Sequence, residues 1–368
     1  MNYSGWGKLH SSILSRYQSI NVIIVIYFEK IMIPSEIQQA MYGFMSSHVL
    51  FVGDELGIFD LLAQDNWYTS EEIAKNTGVQ AFSLERLLLA SVAIGIVKKQ
   101  IDKYQVSEHI KPFLAKTSPN YCGGAFTHFR EISTQSFRFL KNAVQENQPQ
   151  WKQFFGQEEN YSPFTDLYKD PEVVDNFLSS MWGLGYLAAQ ELVKKYSFNK
   201  HSCLVDVGGG SGSFAIAALE QCLTLHAIVF DLPSVQSYLE QKRSQHQLDK
   251  RLNFVAGDFF KDDLPIGDLY VLGYILSDWS QQDGTNLLNK IYDSLPNGGT
   301  IMILEKLFDE DKNGPIETAM MNLAMLLETR GQHYSGSEYI SWLQKIGFCN
   351  CQVIRSSGEK HLVVGVKP

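Results

Sequence analysis

Apolar residues in the first third of the chain recur at helical spacing, and short strand-like segments follow them. A capping box at Thr69-Ser70-Glu71-Glu72 predicts a helix over Glu71–Asn76, which Gly78 ends. The other elements predicted here are an apolar helical face (Ile37, Met41, Phe44, Met45 and Val49), a second helix (Ser83–Ile94) and two strands (Gly95–Lys98 and Lys103–Val106). Helix, turn, helix and a two-stranded wing in this order predict a winged helix.

The pattern changes after a long linking helix. Asp170 as N-cap and Pro171 at the first helical position predict a helix that runs to about Tyr196. From Ser202 onward, strands alternate with helices. The predicted strands are Cys203–Val207, His226–Phe230, Leu252–Ala256, Leu269–Leu272, Thr300–Glu305, Cys351–Arg355 and His361–Lys367, and the predicted helices include Ser213–Gln221 and Gly284–Leu295. This alternation predicts an α/β fold with a parallel doubly wound sheet, in which a final hairpin places one antiparallel strand.

The composition is typical of a globular protein with two domains and argues against a nucleic-acid partner. The 368 residues are 45% hydrophobic and 19% charged, and a net charge of −9 does not provide the positive surface that phosphate binding needs. Residues 32–110 carry five basic and ten acidic side chains, a net charge of −5. The predicted winged helix is therefore expected to dimerise or to cover a substrate. Five cysteines at irregular spacing predict free thiols and a cytoplasmic location.

Residues 1–31 do not fit this organisation, and their status stays open. The apolar run Ile20–Phe28 is too short to span a bilayer, which takes roughly 20 apolar residues, so no membrane association is predicted. Basic residues precede the run as in a signal peptide, but Glu29-Lys30 follows where a cleavage site would stand. A buried strand and a segment outside the true protein, with Met32 as the start, are the alternatives.

Aromatic residues are concentrated between positions 121 and 160. They are Phe126, His128, Phe129, Phe137, Phe139, Trp151, Phe154 and Phe155. Two interpretations carry similar weight: core packing between helices, and a hydrophobic wall for a flat apolar substrate.

The segment Asp206–Gly212 lies between a predicted strand and a predicted helix, as nucleotide-binding loops do. Side chains at Gly208, Gly210 and Gly212 would block the approach of a ligand to the backbone. The helix that follows offers unpaired amides and the positive end of its dipole. A dinucleotide is the rival ligand, but its fingerprint needs a third glycine where Ser213 stands.

Acidic residues near the ends of the following strands favour S-adenosylmethionine. Asp231, which Leu232 follows, ends the second strand, where a carboxylate can accept both ribose hydroxyls. Asp258 follows the third strand, with Phe259 beside it to cover an adenine, and Asp268 introduces the fourth strand. We expect the three acids to surround one crevice, which suits an adenosine that carries an amino-acid tail.

These motifs together resemble the plant-type small-molecule O-methyltransferases, the family that includes acetylserotonin O-methyltransferase. The matching segments are Val49–Leu62, Leu204–Gly212, Val229–Pro233, Gly257–Phe260, Asp278-Trp279 and Gly298-Gly299, and the resemblance spans about Met32 to Pro368. It implies a class I methyltransferase, Rossmann-like sheet over residues 197–368 and a helical winged-helix domain over residues 32–196 that dimerises and covers the substrate.

The resemblance also implies a homodimer, a small, aromatic or polyketide-like substrate, and S-adenosylmethionine as methyl donor. The predicted cofactor site consists of Asp206, Gly208, Gly210, Gly212, Asp231, Leu232, Asp258 and Phe259.

The position before Asp278 separates this chain from the family that it resembles. The resemblance implies a histidine there, which takes the proton of the substrate hydroxyl, but the residue is Ser277. An unperturbed serine hydroxyl is no base near neutral pH. The supporting acid of the family is retained as Glu305, and His333 stands where a further acid is usual. The predicted catalytic residues are Ser277, Asp278, Glu305 and His333. No metal is predicted, because a histidine ligand is lost at position 277.

Three functions remain open for such a site. In the first, His333 or Asp278 replaces the lost base, and a methyl group goes to oxygen, as the family implies, or to nitrogen or carbon. In the second, the cofactor serves as a fixed positive charge for a hydroxylation or a pericyclic step, and in the third the protein is a non-catalytic dimer. Loss of one general base typically costs 10²–10⁴-fold in rate, which is large but not total, because positioning alone supplies much of the acceleration in methyl transfer. A retained cofactor site therefore favours an enzyme over a non-catalytic dimer, and methyl transfer is the first of the three functions. His333 is alternatively a surface loop residue.

Overall fold

The computed structural model describes residues 33–151, 153 and 168–368, and it contains two sheets with helices packed around them. The predicted extension over residues 1–31 and the aromatic residues Phe154 and Phe155 lie outside the described residues. The first described elements are helices α1 Ser35–Glu55, α2 Ile58–Leu62, α3 Ser70–Thr77, α4 Ala81–Ala93 and α5 Lys111–Leu114, and strands β1 Tyr68–Thr69, β2 Val97–Gln100 and β3 Lys103–Val106. No helix within the described ranges is both long and apolar enough to cross a membrane.

Helix α3 has the predicted capping residues and is one residue longer at each end than the predicted Glu71–Asn76. The Thr69 hydroxyl accepts the backbone N–H of Glu72 at 3.2 Å, and the Glu72 carboxylate accepts the backbone N–H of Thr69 at 2.8 Å. Gly78 ends the helix in the left-handed conformation, with φ +73°. These bonds satisfy backbone groups that a helix end leaves unpaired, so the predicted capping box is confirmed.

A small antiparallel sheet in the order β1-β3-β2 packs on helices α2 to α4. The predicted strand Lys103–Val106 is confirmed, whereas the strand predicted over Gly95–Lys98 lies two residues later, at Val97–Gln100. The two-residue strand Tyr68–Thr69 is an addition that the sequence pattern did not predict. Their shared core is largely apolar and includes Phe59, Leu88 and Tyr104.

A chain of short helices leads from this unit to one long helix. The elements are α6 Gly123–His128, a π-helical turn Phe129–Ser133, α7 Thr134–Ser136, a 3-10 turn Phe137–Phe139, α8 Leu140–Glu146 and α9 Pro171–Val193. Asp170 Oδ1 accepts the Glu172 N–H at 2.9 Å and Pro171 stands in the first turn, which confirms the predicted start of α9. Helix α6 lies tightly on α9, because a Cβ on Gly124 would lie 2.6 Å from the backbone nitrogen of Ser180.

The C-terminal part of the chain forms a seven-stranded sheet in the order β6-β5-β4-β7-β8-β10-β9. Its elements are β4 Cys203–Val207, α10 Ser213–Gln221, β5 His226–Asp231, α11 Gln236–Gln245, β6 Leu252–Ala256, β7 Leu269–Gly273, α12 Gln281–Ser294, β8 Thr300–Lys306, α13 Ile316–Glu328, α14 Gly336–Ile346, β9 Cys349–Arg355 and β10 Lys360–Val366. Strands β4 to β8 pair in parallel, and β10 runs antiparallel to both β8 and β9. This confirms the predicted doubly wound sheet with one antiparallel strand.

The strand order reverses at β4, because β5 and β6 lie on one side of it and β7 and β8 on the other. Apolar clusters cover both faces of the sheet, with α9 and α10 on one face and α12 and α14 on the other. At such a switch point a crevice opens beyond the carboxyl ends of the strands. The loops after β4, β5, β7 and β8 therefore meet at one edge.

Candidate active site

The glycine loop connects β4 to α10 at the switch point. Gly208, Gly210 and Gly212 have φ values of +66°, +52° and +72°, a region that residues with a Cβ rarely adopt. A Cβ on Gly208 would lie 2.5 Å from Ile275, and one on Gly212 would lie 2.5 Å from Leu239. Gly208 thus permits the close packing of Ile275 on the loop, and Gly212 permits the close packing of α11.

Asp206 lies beneath the glycine loop. It is 2% exposed, and a Cβ on Gly209 would lie 2.7 Å from its carboxyl carbon. Burial raises the pKa of Asp206 to about 7, although a hydrogen bond from the Ala215 N–H opposes the rise. Asp206, a predicted cofactor residue, therefore contacts the glycine loop at Gly209 and accepts a hydrogen bond from the first turn of α10. Its carboxyl group stabilises the loop.

Asp231 connects the end of β5 to the glycine loop. Its Oδ2 accepts the Gly210 N–H at 2.8 Å, and its Oδ1 accepts the Leu232 N–H at 2.7 Å. Burial raises the pKa of Asp231 to about 6, against the effect of these two N–H groups, so the carboxylate is charged near neutral pH. Each carboxylate oxygen retains a lone pair that can accept a hydroxyl.

Asp258 and Phe259 lie in the turn after β6. Asp258 Oδ1 accepts the Phe260 N–H at 2.9 Å, and its Oδ2 forms an ion pair with Lys261 at 2.8 Å. The ring of Phe259 faces the glycine loop, since a Cβ on Gly208 would lie 3.3 Å from its Cε1. The ring of Phe259 thus lies beside the glycine loop, whereas Asp258 largely holds its own turn together.

The prediction that Asp268 joins the same crevice is wrong. Asp268 precedes β7 and accepts the backbone N–H groups of Ser202 at 2.8 Å and Cys203 at 3.1 Å. These residues begin β4, at the edge of the sheet opposite the glycine loop. In a parallel sheet an acid that follows a strand and an acid that precedes one lie at opposite edges, so Asp268 caps the sheet far from the site.

Ser277 and Glu305 form a buried pair after β7 and at the end of β8. Glu305 is fully buried and Ser277 is 2% exposed. The Ser277 N–H donates to Glu305 Oε1 at 3.2 Å, and the Ser277 hydroxyl also hydrogen-bonds to this carboxyl group. Burial raises the pKa of Glu305 to about 8 against these hydrogen bonds. Glu305 therefore fixes the loop that carries Ser277.

Asp278 is the partly exposed carboxyl group at this corner. Its backbone N–H donates to the Ile275 carbonyl at 3.1 Å, but no hydrogen bond from another described residue engages its carboxylate. Burial, followed by the charges of Glu305 and Glu328, raises the pKa of Asp278 well above its usual range. A carboxylate with such a pKa is a stronger base than an exposed aspartate.

His333 is buried, and the alternative that it is a surface loop residue is wrong. It is 4% exposed, and its backbone N–H donates to Asn322 Oδ1 at 2.7 Å. Its Nδ1 lies 3.9 Å from Glu305 Oε2, and the imidazole also hydrogen-bonds to the backbone of Lys306. Burial lowers the pKa of His333 to about 4, so the ring is neutral. The ring packs against Glu305, behind the loop that carries Asp278.

Two further residues border the site and were not predicted from the sequence. Tyr168 lies near both corners, because the charges of Asp231 and Asp278 add to the effect of burial in raising its pKa. Glu328 ends α13, and its Oε1 accepts the hydroxyl of Ser136 at 3.0 Å. Burial raises the pKa of Glu328 to about 7, against the Ser136 hydrogen bond. Neither residue belongs to a local motif, so the sequence offered no signal for either.

Comparison with known proteins agrees with this architecture. The model of the O-methyltransferase domain family matches residues 137–349, and that of the O-methyltransferase dimerisation domain matches residues 38–113. Acetylserotonin O-methyltransferase of Gallus gallus is 30% identical over 343 residues, which cover 91% of this chain and 97% of that protein.

Two solved structures show the same fold. Human N-acetylserotonin methyltransferase in complex with S-adenosylmethionine superposes with a TM-score of 0.83 and 28% identity, over 90% of this chain and 96% of that one. PigF with S-adenosylhomocysteine superposes with a TM-score of 0.80 and 28% identity, over 91% of this chain and all of that one. The PigF of a Serratia species is named as an S-adenosyl-L-methionine-dependent methyl transferase. The chain therefore belongs to the O-methyltransferase family, as an S-adenosylmethionine-dependent enzyme of small metabolites with an N-terminal dimerisation domain.

Proposed function

We propose that this enzyme methylates a hydroxyl oxygen of a small, flat aromatic metabolite, and that Asp278 takes the proton of that hydroxyl. The proposal depends on two adjacent parts of the site: a first corner formed by the glycine loop and Asp231, and a second corner formed by Ser277 and Asp278. The glycine loop and Asp231 follow β4 and β5, and Ser277-Asp278 follow β7, the other neighbour of β4. A donor held at the first corner and an acceptor held at the second would meet beyond the end of β4.

The residues of the first corner fit S-adenosylmethionine. Gly208 lets the loop backbone approach Ile275 and Phe259 closely, and the aromatic ring of Phe259 beside the loop suits a flat adenine. The charged Asp231, already bound to the loop by Gly210, would hold the ribose hydroxyls. When bound, S-adenosylmethionine supplies an electrophilic methyl group on a sulfonium centre.

Asp278 is the base that the second corner offers. The hydroxyl of Ser277 is engaged by Glu305 and is no base near neutral pH. His333 contacts Glu305 and the backbone of Lys306 with its imidazole, so we assign it to positioning Glu305. The Asp278 carboxylate would accept a hydrogen bond from the substrate hydroxyl and take its proton as the oxygen is methylated.

The transfer of a labelled methyl group tests this function directly. Incubation with methyl-labelled S-adenosylmethionine and an extract of small aromatic metabolites is expected to give a labelled methyl ether and one S-adenosylhomocysteine per product. The product is followed by mass spectrometry, with an Asp231→Ala sample as the matched blank. A cofactor-dependent product without label would contradict methyl transfer.

Cofactor binding is measured separately by thermal unfolding. A ligand at about 100 times its Kd stabilises the folded state by about 2.7 kcal/mol. We therefore expect S-adenosylhomocysteine to raise Tm by several degrees. The absence of any shift would contradict the proposed cofactor site, whatever the acceptor.

We further propose that the chain is a homodimer that associates through α1 and the winged-helix elements behind it. Residues on and just before α1 leave large apolar side chains about half exposed: Ile33, Ile37, Met41, Tyr42, Phe44 and Met45. Phe82 and Leu89 on α4 are also exposed, and the net charge of −5 over residues 32–110 favours a protein contact over a nucleic acid. Within the described residues the five cysteines are unpaired, which supports a cytoplasmic location.

The double variant Met41→Glu/Phe44→Glu is expected to be a monomer. Burial of a large apolar side chain contributes about 1.5–3 kcal/mol, and each charge would add a desolvation cost. Light scattering after size exclusion should therefore give half the mass of the wild-type particle. The matched control Leu223→Glu/Ile266→Glu replaces exposed apolar residues of the C-terminal domain and should stay dimeric. A wild-type monomer at micromolar concentration would contradict the proposal.

A further inference from the structure

His128, the last residue of α6, has no role in the site described above. Its ring meets Phe129 and Phe177 edge to face, at centroid distances of 6.0 and 6.1 Å. Burial lowers the pKa of His128 to about 4, so the imidazole is neutral. No hydrogen bond joins either ring nitrogen to another residue in the described part of the chain. His128 is only partly buried, so its ring nitrogens are open to a ligand rather than enclosed in the core.

The backbone at His128 also departs from a regular helix. Helix α6 passes directly into the π-helical turn Phe129–Ser133, and Thr134 Oγ1 donates to the Phe129 carbonyl at 2.8 Å. Single π-helical turns are rare in proteins, and those that occur are often found at functional sites. The close contact of Gly124 with α9 fixes this helix in place.

The aromatic rings around His128 connect it to the reaction site. Phe177 contacts Tyr168 at a centroid distance of 6.0 Å. The charges of Asp231 and Asp278 contribute to the raised pKa of Tyr168, so this residue lies near both carboxylates. The residue after Phe177, Leu178, would lie 3.4 Å from a Cβ on Gly210 in the glycine loop. The ring of Phe177 therefore separates the imidazole of His128 from Tyr168, which lies near both Asp231 and Asp278.

We propose that His128 determines acceptor specificity by hydrogen-bonding a second polar group of the acceptor, at the end of the molecule away from the hydroxyl that is methylated. This inference rests on the proposed function. A neutral imidazole donates from one nitrogen and accepts at the other, so it suits an uncharged hydroxyl or carbonyl better than a carboxylate. The edges of Phe129 and Phe177 suit an aromatic ring between the two polar groups. The acceptor class is thus a flat aromatic molecule with oxygen substituents at opposite ends.

Binding of two naphthols to the enzyme saturated with S-adenosylhomocysteine tests this inference by calorimetry. The wild-type enzyme is expected to bind 2,6-dihydroxynaphthalene about tenfold more tightly than 2-naphthol, since one hydrogen bond to an occluded site contributes about that factor. His128→Phe should remove this preference, and His128→Asn should restore part of it. His109→Phe, at an exposed histidine, should keep the wild-type preference.

Each other outcome overturns the inference. A wild-type enzyme that binds the two naphthols equally, or binds neither at their solubility limits, has no second polar subsite of this kind. A preference that survives His128→Phe assigns the subsite to another residue. The Tm shift with S-adenosylhomocysteine is measured for every variant, so a loss of the cofactor site is distinguished from a loss of the acceptor contact.

Discussion

The Asp231→Ala variant is expected to bind S-adenosylhomocysteine about 100-fold or more weakly than the wild type. Hydrogen bonds to a charged partner contribute about 1.5–3 kcal/mol each, and two ribose hydroxyls would donate to this carboxylate. Their loss corresponds to a factor of about 10²–10⁴ in Kd. The same substitution removes the acceptor of the Gly210 N–H, which would loosen the glycine loop. Titration calorimetry of the purified protein measures the change.

Two controls separate recognition from folding in that experiment. Asp263→Ala removes an exposed acid from the neighbouring turn and should leave Kd unchanged. The Tm of each variant without ligand reports whether the fold is intact. If Asp231→Ala binds within about threefold of the wild type, the ribose is held elsewhere and the assignment of this corner is wrong.

The local elements around the glycine loop were predictable because their causes are local. Strand β4 and helix α10 have the predicted bounds, Cys203–Val207 and Ser213–Gln221. An apolar run, a set of glycines and a helix start follow one another directly along the chain. The bounds of the strand, the loop and the helix therefore constrain one another. Ser335 and Glu338 form a second capping box, which begins α14. This helix was not predicted, although its signal stands in the sequence.

The error at Asp268 shows what strand polarity adds. The sequence places an acid beside each of three strands. The sequence pattern alone does not distinguish an acid that precedes a strand from an acid that follows one. Asp231 and Asp258 follow β5 and β6, whereas Asp268 precedes β7. The direction of a parallel strand decides which edge its flanking residue occupies, and this separates Asp268 from the other two.

The catalytic corner was predictable as a set of residues but not as a geometry. Ser277, Asp278, Glu305 and His333 were identified from the resemblance, yet their roles depend on contacts between β7, β8 and the loop after α13. His333 packs behind Glu305, at 3.9 Å, while Asp278 has the carboxylate that no described residue engages by a hydrogen bond. Residues in contact here are 28 or more positions apart in the chain, and no local sequence motif indicates such contacts. For the same reason Tyr168 and Glu328 could not be predicted from the sequence.

The Asp278→Asn variant is expected to lose 10²–10⁴-fold in kcat, the range typical for removal of a general base, with its affinity for S-adenosylhomocysteine unchanged. An asparagine keeps the shape of the side chain but accepts no proton. The rate is measured as S-adenosylhomocysteine release with the acceptor that the labelling experiment identifies. Asp293→Asn, at an exposed position, is the matched control. A kcat within threefold of the wild type would exclude Asp278 as the base.

The pH dependence of kcat gives a sharper test of the same assignment. Because burial, Glu305 and Glu328 raise the pKa of Asp278, the reactive carboxylate is present above this raised pKa, and kcat should fall as the pH drops through it. Glu328→Gln removes one of the negative charges while its amide oxygen can still accept the Ser136 hydroxyl. The pKa of Asp278 should then be lower, so the acid limb of the profile should move to lower pH with the plateau retained. A limb that moves to higher pH, or a plateau that collapses, would contradict the coupling, because neither follows from the loss of a neighbouring negative charge.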